Sequence, residues 1–201
     1  MNTTKKHIIL TSFKLFLQNG FKEVTMQMLV KEAGLSKGAF YHYFENKEQL
    51  FSETINSLFF SISPFNQEVE IDPQKSFYEY VCQYIDNVEK MSAKICDYLG
   101  SDALPLGYYR LMMDVANYVP GFKEKIEQAN THELNFWKKI IDNGIKKGEL
   151  KSNLDKDILA NHFKWLDDGL ALNSFFTGNV DLLPDKLEKT LMHFYQLIKK
   201  E

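Results

Sequence analysis

Apolar residues recur at intervals of three and four along nearly the whole chain, and nowhere in the strict alternation of a half-buried strand. Ile9, Phe13, Phe16 and Leu17 form the first such stripe, with Lys6, Lys14 and Gln18 off it, and Asn19-Gly20 supplies a left-handed stop. Thr25 then caps a helix over residues 26–33 that Gly34 breaks, and Ser36 caps a very short one over 37–43. Asn46 with Gln49 three residues on forms a capping box for a helix over 47–62 carrying Leu50, Ile55, Leu58 and Phe59. Residues 64–73, with Pro64, Pro73, Asn66 and Asp72, read as a loop. Beyond it, Phe77, Val81, Tyr84, Val88, Ile95 and Leu99 mark one long helix, residues 104–118 a second, and Phe122, Ile126, Phe136, Ile140 and Ile145 a third that ends at Gly148. Residues 157–176 are apolar on two opposite faces: Leu159, Phe163, Leu166 and Leu170 on one, Ile158, Trp165, Leu172 and Phe176 on the other. Such a helix must be covered on both sides. Pro184 opens a last helix whose stripe is Leu187, Leu191, Phe194 and Ile198. The prediction is an all-α chain of about nine helices.

Composition adds little until it is read by segment. With 201 residues, 44% hydrophobic and 25% charged, the chain can bury a proper core. The net charge is -3, yet residues 1–50 carry seven lysines against four acids, so that stretch is +3 and the remainder -6. The two cysteines, Cys82 and Cys96, have no metal spacing and read as buried thiols. No apolar run approaches the roughly 20 residues of a membrane span. The N-terminus runs straight into an amphipathic helix without a leader pattern, so a cytoplasmic location is expected.

Chemistry concentrates between Thr25 and Lys47. Two short helices separated by Ala33-Gly34-Leu35 meet the requirements of a helix-turn-helix, because Gly takes the turn and Leu35 fills the angle between the helices. The second helix would present its N-terminal end to a major groove. Gly38 and Ala39 are small enough to approach a backbone or a thymine methyl, and Ser36, Lys37, Tyr41, His42 and Tyr43 offer partners to phosphates and base edges.

Over residues 5–51 the order of residues resembles the TetR family of bacterial regulators. The matching positions are Leu15-Phe16 and Gly20-Phe21, the capping Thr25, the run Ala33-Gly34-Leu35-Ser36-Lys37-Gly38, Tyr41 with Phe44, and Asn46-Lys47-Glu48 followed by Leu50. It departs at Thr11-Ser12, at Leu29-Val30 and at His42-Tyr43, where the family carries an Ala pair, Ile-Ala and aromatic-His. The resemblance implies that Thr25, Tyr43 and Lys47 hold phosphates while Gln27, Ser36, Lys37, Ala39, Tyr41 and His42 face the groove, with Gly38 allowing close approach. The sole arginine is Arg110, far outside this segment, so bidentate Arg-to-guanine readout is unavailable and Lys37 together with polar or apolar contacts must supply discrimination.

The resemblance also implies a DNA-binding domain over residues 1–50 and a helical effector-binding and dimerisation domain over 51–201. Its partners would be a near-palindromic operator, a second copy of the chain and a small-molecule effector. Ile158, Trp165 and Leu172, with Leu187, Leu191, Phe194 and Ile198, are the expected dimer residues, packing as a four-helix bundle. Candidates for an apolar effector pocket are Tyr84, Met91, Tyr108, Met112, Phe136, Trp137 and Trp165, with Tyr109 and Met113 beside them. Arg110 is expected to pair with a neighbouring acid.

Enzyme chemistry has no foothold in the residues. His132-Glu133 begins like a zincin, but the second ligand position is Phe136. No nucleophile elbow or phosphate-binding glycine loop occurs, and the adjacent Asp167 and Asp168 leave one helix at different angles. No catalytic residue, metal or cofactor is expected. The rival to a DNA-binding regulator is a sensor that keeps the fold without sequence-specific DNA binding.

Overall fold

The computed structural model describes residues 3–58, 65, 67–99 and 105–201, with the side chains of 94–99, 105, 106, 108, 109 and 175 outside the description. Nine α-helices and no strand are found among these residues: α1 Thr3–Asn19, α2 Met26–Glu32, α3 Lys37–Tyr41, α4 Lys47–Leu58, α5 Phe77–Leu99, α6 Pro105–Tyr118, α7 Phe122–Lys146, α8 Lys156–Thr177 and α9 Leu183–Ile198. The chain divides into two compact units, Met1–Ser63 with Cys96–Lys125, and Pro64–Ile95 with Ile126–Glu201.

The first unit is organised around α1, which packs on α2, α4 and α6. Its apolar stripe buries Ile8, Ile9, Phe16 and Leu17, and Gly20, at φ +83, ends the helix where a side chain would be strained. Phe21, just beyond, stacks on Tyr118 with ring centres 4.5 Å apart and meets Phe51 at 4.7 Å, while Phe16 meets Phe51 edge-on at 4.8 Å. Leu111, Val115 and Val119 bring α6 into the same core. The unit gathered around the expected reader of residues 1–50 therefore also takes in α4 and α6.

The second unit is built on Trp137, which is fully buried, stacks on Phe163 at 4.6 Å and touches Tyr84 at 4.8 Å. Phe77 and Phe194 also meet Phe163, with ring centres at 5.5 and 5.1 Å. Glu149 accepts from the backbone N–H groups of Phe77 (2.7 Å) and Tyr78 (2.9 Å), satisfying the open donors at the start of α5. Leu187, Leu191 and Ile198 of α9 lie in this core. That placement corrects the expectation that they meet a second copy, because their apolar surface is already covered within the chain. Phe194 is partly buried against the same core.

On α8 the two-faced pattern is realised. Leu159 and Phe163 are buried, with Leu166 and Leu170 packed against the core, whereas Ile158, Trp165, Leu172 and Phe176 stand 50–63% exposed on the other side.

Candidate nucleic-acid interface

The α2-turn-α3 segment is fixed from beneath by its apolar residues. Leu29, Phe40 and Phe44 are at most 1% exposed, and Gly34 takes φ +64 in the turn. His7 of α1 bonds through Nε2 to the Ala33 carbonyl at 3.1 Å, tying the end of α2 down. The short helix ends at Tyr41, two residues before the sequence pattern suggests, where the chain tightens and the Tyr43 N–H bonds to the Phe40 carbonyl three residues back.

Both capping hydroxyls act as expected. Thr25 Oγ1 accepts from the Met28 N–H at 3.2 Å, and Ser36 Oγ accepts from the Ala39 N–H at 3.3 Å. Because each hydroxyl accepts in its cap, its own proton is not used there and can be donated to a phosphate oxygen. Asn46 Oδ1 accepts from Gln49 N–H at 2.8 Å, and Gln49 Oε1 accepts from Glu45 N–H at 2.9 Å, so the box at the start of α4 is formed.

Ser36, Lys37, Gly38 and Ala39 are all exposed at the leading end of α3, with Tyr41 (38% exposed) and His42 following. A Cβ placed on Gly38 would meet nothing within 4 Å. The chain itself therefore does not need a glycine there, and the missing side chain leaves room only for something approaching from outside. Lys37 Nζ stands 5.8 Å from the Tyr41 ring centre. Between α2 and α3 lies an open concavity of about 270 Å³ lined by Met26, Gln27, Val30, Lys31, Lys37 and Tyr41. Lys31 was not singled out by sequence, since its charge alone did not set it apart from other surface lysines.

Lys47 and Tyr43 sit differently from the groove-facing residues. Lys47 Nζ donates to the Phe21 carbonyl at 2.7 Å and the Lys22 carbonyl at 3.3 Å, and lies 4.4 Å from the Phe21 ring centre. The amine thus joins the start of α4 to the α1–α2 turn, with two of its three hydrogens committed. Tyr43 is half-buried against the core, its ring 5.3 Å from that of His42.

Arg110 corrects an expectation. Instead of pairing with an acid, its Nη2 donates to the carbonyls of Leu17 (3.0 Å) and Gln18 (2.5 Å), at the negative end of α1. One turn on, Asp114 Oδ2 accepts from Phe21 N–H at 2.7 Å. Gly107 completes the contact, since a Cβ there would lie 2.7 Å from the Leu17 carbonyl oxygen. Thus α6 grips the C-terminal turn of α1.

In the second unit, Tyr84 and Phe136 line a cavity of about 170 Å³ together with Phe65 and Tyr80. The other pocket candidates are placed elsewhere. Trp137 is inside the core, Trp165 is 63% exposed on α8, Met112 packs against the first unit's core, Met113 is exposed and Met91 is half-buried. The side chains of Tyr108 and Tyr109 lie outside the described residues, as does that of Cys96; Cys82 is a half-buried free thiol.

Behind Tyr84 is an ionic cluster that sequence did not reveal. Its phenol donates to Asp167 Oδ2 at 2.7 Å and lies 3.2 Å from Glu133 Oε1, while Lys164 Nζ reaches Glu133 at 3.2 Å and Asp168 at 2.8 Å. Burial pushes the Asp167 carboxyl up to about 6, and raises Glu133 above the usual carboxylate range against the pull of Lys164. Burial opposes the charge on Lys164, but Glu133 and Asp168 outweigh it and its pKa is raised.

Two short helices fixed from below, with small and polar residues outermost, define a helix-turn-helix reader. The profile described as "Bacterial regulatory proteins, tetR family" matches residues 8–54. The uncharacterized HTH-type transcriptional regulator YhgD of Bacillus subtilis (strain 168) is 28% identical over 147 residues, covering 73% of this chain and 72% of its own. A second regulator of that organism, YerO, is 50% identical over 50 residues, which are 25% of this chain and 17% of its own. Among solved structures, a TetR transcription regulator from Haloarcula marismortui ATCC 43049 superposes with a TM-score of 0.69 at 16% identity, over 98% of both chains. Residues 8–54 thus match the DNA-binding segment of the TetR family of regulators, and the chain as a whole shares the fold of solved TetR structures. No helix among the described residues is long and apolar enough to cross a membrane.

Proposed function

We propose that the protein is a cytoplasmic, homodimeric repressor that leaves its operator when a small molecule occupies the cavity of its second unit. The observation that carries the DNA-binding site is the exposure of Ser36 through Ala39 above the buried Phe40 and Phe44. Lys37, Tyr41, Gln27, His42, Ser36 and Ala39 read the groove, Gly38 lets the backbone close in, and Thr25, Tyr43 and Lys47 hold phosphates. The exposed face of α8, with Ile158, Trp165 and Leu172, supports dimerisation, because so much apolar surface is otherwise an association liability.

Selection of bound sequences from a random DNA pool tests the reading. A near-palindrome with half-sites about 34–36 Å apart, or a multiple of that, is expected, with affinity falling steeply as salt rises. Sequence-blind binding would instead leave a sensor that keeps the fold. Lys37→Ala should change which sequence wins, whereas Lys47→Ala should weaken all sequences alike. Occupancy by effector and by operator must oppose one another by the same factor, so equal effector affinity with and without DNA would refute the release mechanism.

A further inference from the structure

The cavity of the second unit has a more particular lining than an effector pocket of unspecified chemistry requires. Phe65, Tyr80, Tyr84 and Phe136, each at most 7% exposed, bound its roughly 170 Å³. Their rings are not stacked into a slab. Phe65 and Tyr84 are tilted by 32° with centres 6.2 Å apart, Phe65 and Phe136 by 51° at 5.5 Å, and Tyr80 stands at 81° to Phe136 at 5.9 Å. Rings inclined to one another in this way can turn faces as well as edges to the space they line.

Charge around the cavity is unbalanced. Glu70 and Asp72 stand at the lining with Lys75 as its one basic residue, and Tyr84 is bonded from behind to Asp167 and Glu133. That rear cluster holds three carboxylates, Glu133, Asp167 and Asp168, against the one amine of Lys164. An anion would enter against this field, and a neutral molecule would gain nothing from it. A cation gains from the carboxylates and from the ring faces, whose negative quadrupole stands in for lost water. Lys75 already shows the preference, with its Nζ 5.6 Å from the Tyr80 ring centre. The volume falls below the roughly 300–1,000 Å³ of pockets for drug-sized ligands, so the occupant is small.

We propose that this aromatic cavity binds a small organic cation, a quaternary or methylated ammonium group, and that this is the chemical class of the effector. The inference rests on the reading of the second unit as the effector-binding body.

The test compares choline with its uncharged isostere 3,3-dimethylbutan-1-ol on the full-length protein, by calorimetry at fixed ionic strength. Choline should bind at least tenfold more tightly. Phe136→Leu should lower choline affinity about tenfold and leave the alcohol unchanged, because it removes a ring face and keeps apolar bulk. Since Phe136 is a core residue, Glu70→Gln, at an exposed position, and Lys75→Gln, at a half-buried one, are measured beside it. The first should weaken choline and the second strengthen it, each by a few-fold and less at high salt. Equal or tighter binding of the alcohol overturns the cation class and leaves the effector-body reading standing. Binding of neither probe at millimolar concentration, on protein that still binds its selected DNA, overturns the inference without touching the reader. Choline that binds without lowering affinity for that DNA keeps the site and refutes its role as the effector's.

Discussion

The two units treat charged side chains in opposite ways. In the first, Arg110, Asp114 and Lys47 sit at the rim and bond to the backbone where α1 ends, over a core of Phe16, Phe21, Phe40 and Phe51. In the second, Glu133 and Lys164 are buried within the unit, and Asp167 is bonded to a buried phenol. Rim bonds tie helix ends together while the charged groups keep part of their contact with water, so the geometry of the reader does not depend on a buried charge. A buried cluster is more conditional, because each member depends on the others for its charge. Under the proposed function, the first arrangement suits a surface that must match DNA and the second a body that responds to what enters it.

Lys164→Met breaks the comparison hardest. It leaves Glu133 and Asp168 without their amine, and should lower stability by about 3–5 kcal/mol. Chemical denaturation measures this, and a loss under 1 kcal/mol would mean the cluster is open to water. Gly107→Ala probes the rim instead. A Cβ 2.7 Å from the Leu17 carbonyl must push α6 off α1, for a loss of about 1–3 kcal/mol in thermal unfolding. An unchanged melting temperature would show that the grip of α6 on α1 is loose.

The same contrast predicts a pH dependence. Asp167 rises from 3.8 to about 6 on folding, chiefly by burial, so between those values the folded chain holds the proton more tightly than the unfolded one. Its contribution to stability therefore falls as pH climbs through that window, and Glu133, also raised, acts in the same direction. Exposed carboxylates lowered by lysines, such as Asp142 beside Lys146, contribute the opposite slope. Asp167→Asn keeps an acceptor for Tyr84 and removes the buried charge. It should raise stability at pH 7 by about 1–3 kcal/mol and give a smaller gain at pH 4. A gain that is the same at both pH values would show that Asp167 titrates normally.

Local signals made the reader legible in sequence. Gly20, Gly34 and Gly148 all take positive φ where the pattern placed stops, and Thr25, Ser36 and Asn46 cap as their side chains allow. Such signals act within a few residues and need no knowledge of the fold. Periodicity reports that a helix face is apolar, but not what covers it, which is why Leu187, Leu191 and Ile198 were assigned to a partner and are found in the core. The bond of Arg110 to Leu17 spans 93 residues, and nothing local marks it. Lys164 and Glu133 were hidden for a related reason, since charged residues are buried only when partners are brought together by the tertiary fold.

Smaller effects sharpen the picture further. Thr25→Ala removes the cap of α2 and should lower stability by about 1 kcal/mol while weakening DNA binding on every sequence, as a phosphate contact should. If fluorescence anisotropy showed a change for one sequence only, Thr25 would be reading bases.

Trp165→Ala should have the smallest effect on the fold and a decisive one on assembly. The side chain is 63% exposed on the α8 face opposite the core, so its loss should change the stability of an isolated chain by no more than about 0.5 kcal/mol. If that face joins two copies, the same change removes a large aromatic from an interface centre, where such residues carry about 2 kcal/mol or more. Sedimentation would then show a dimer at wild-type concentrations becoming a monomer with unaltered helix content, and operator affinity would fall because two half-sites are no longer engaged together. A variant that stays dimeric with full affinity would place the contact between copies elsewhere, leaving the exposed row of Ile158, Trp165, Leu172 and Phe176 without the role proposed for it.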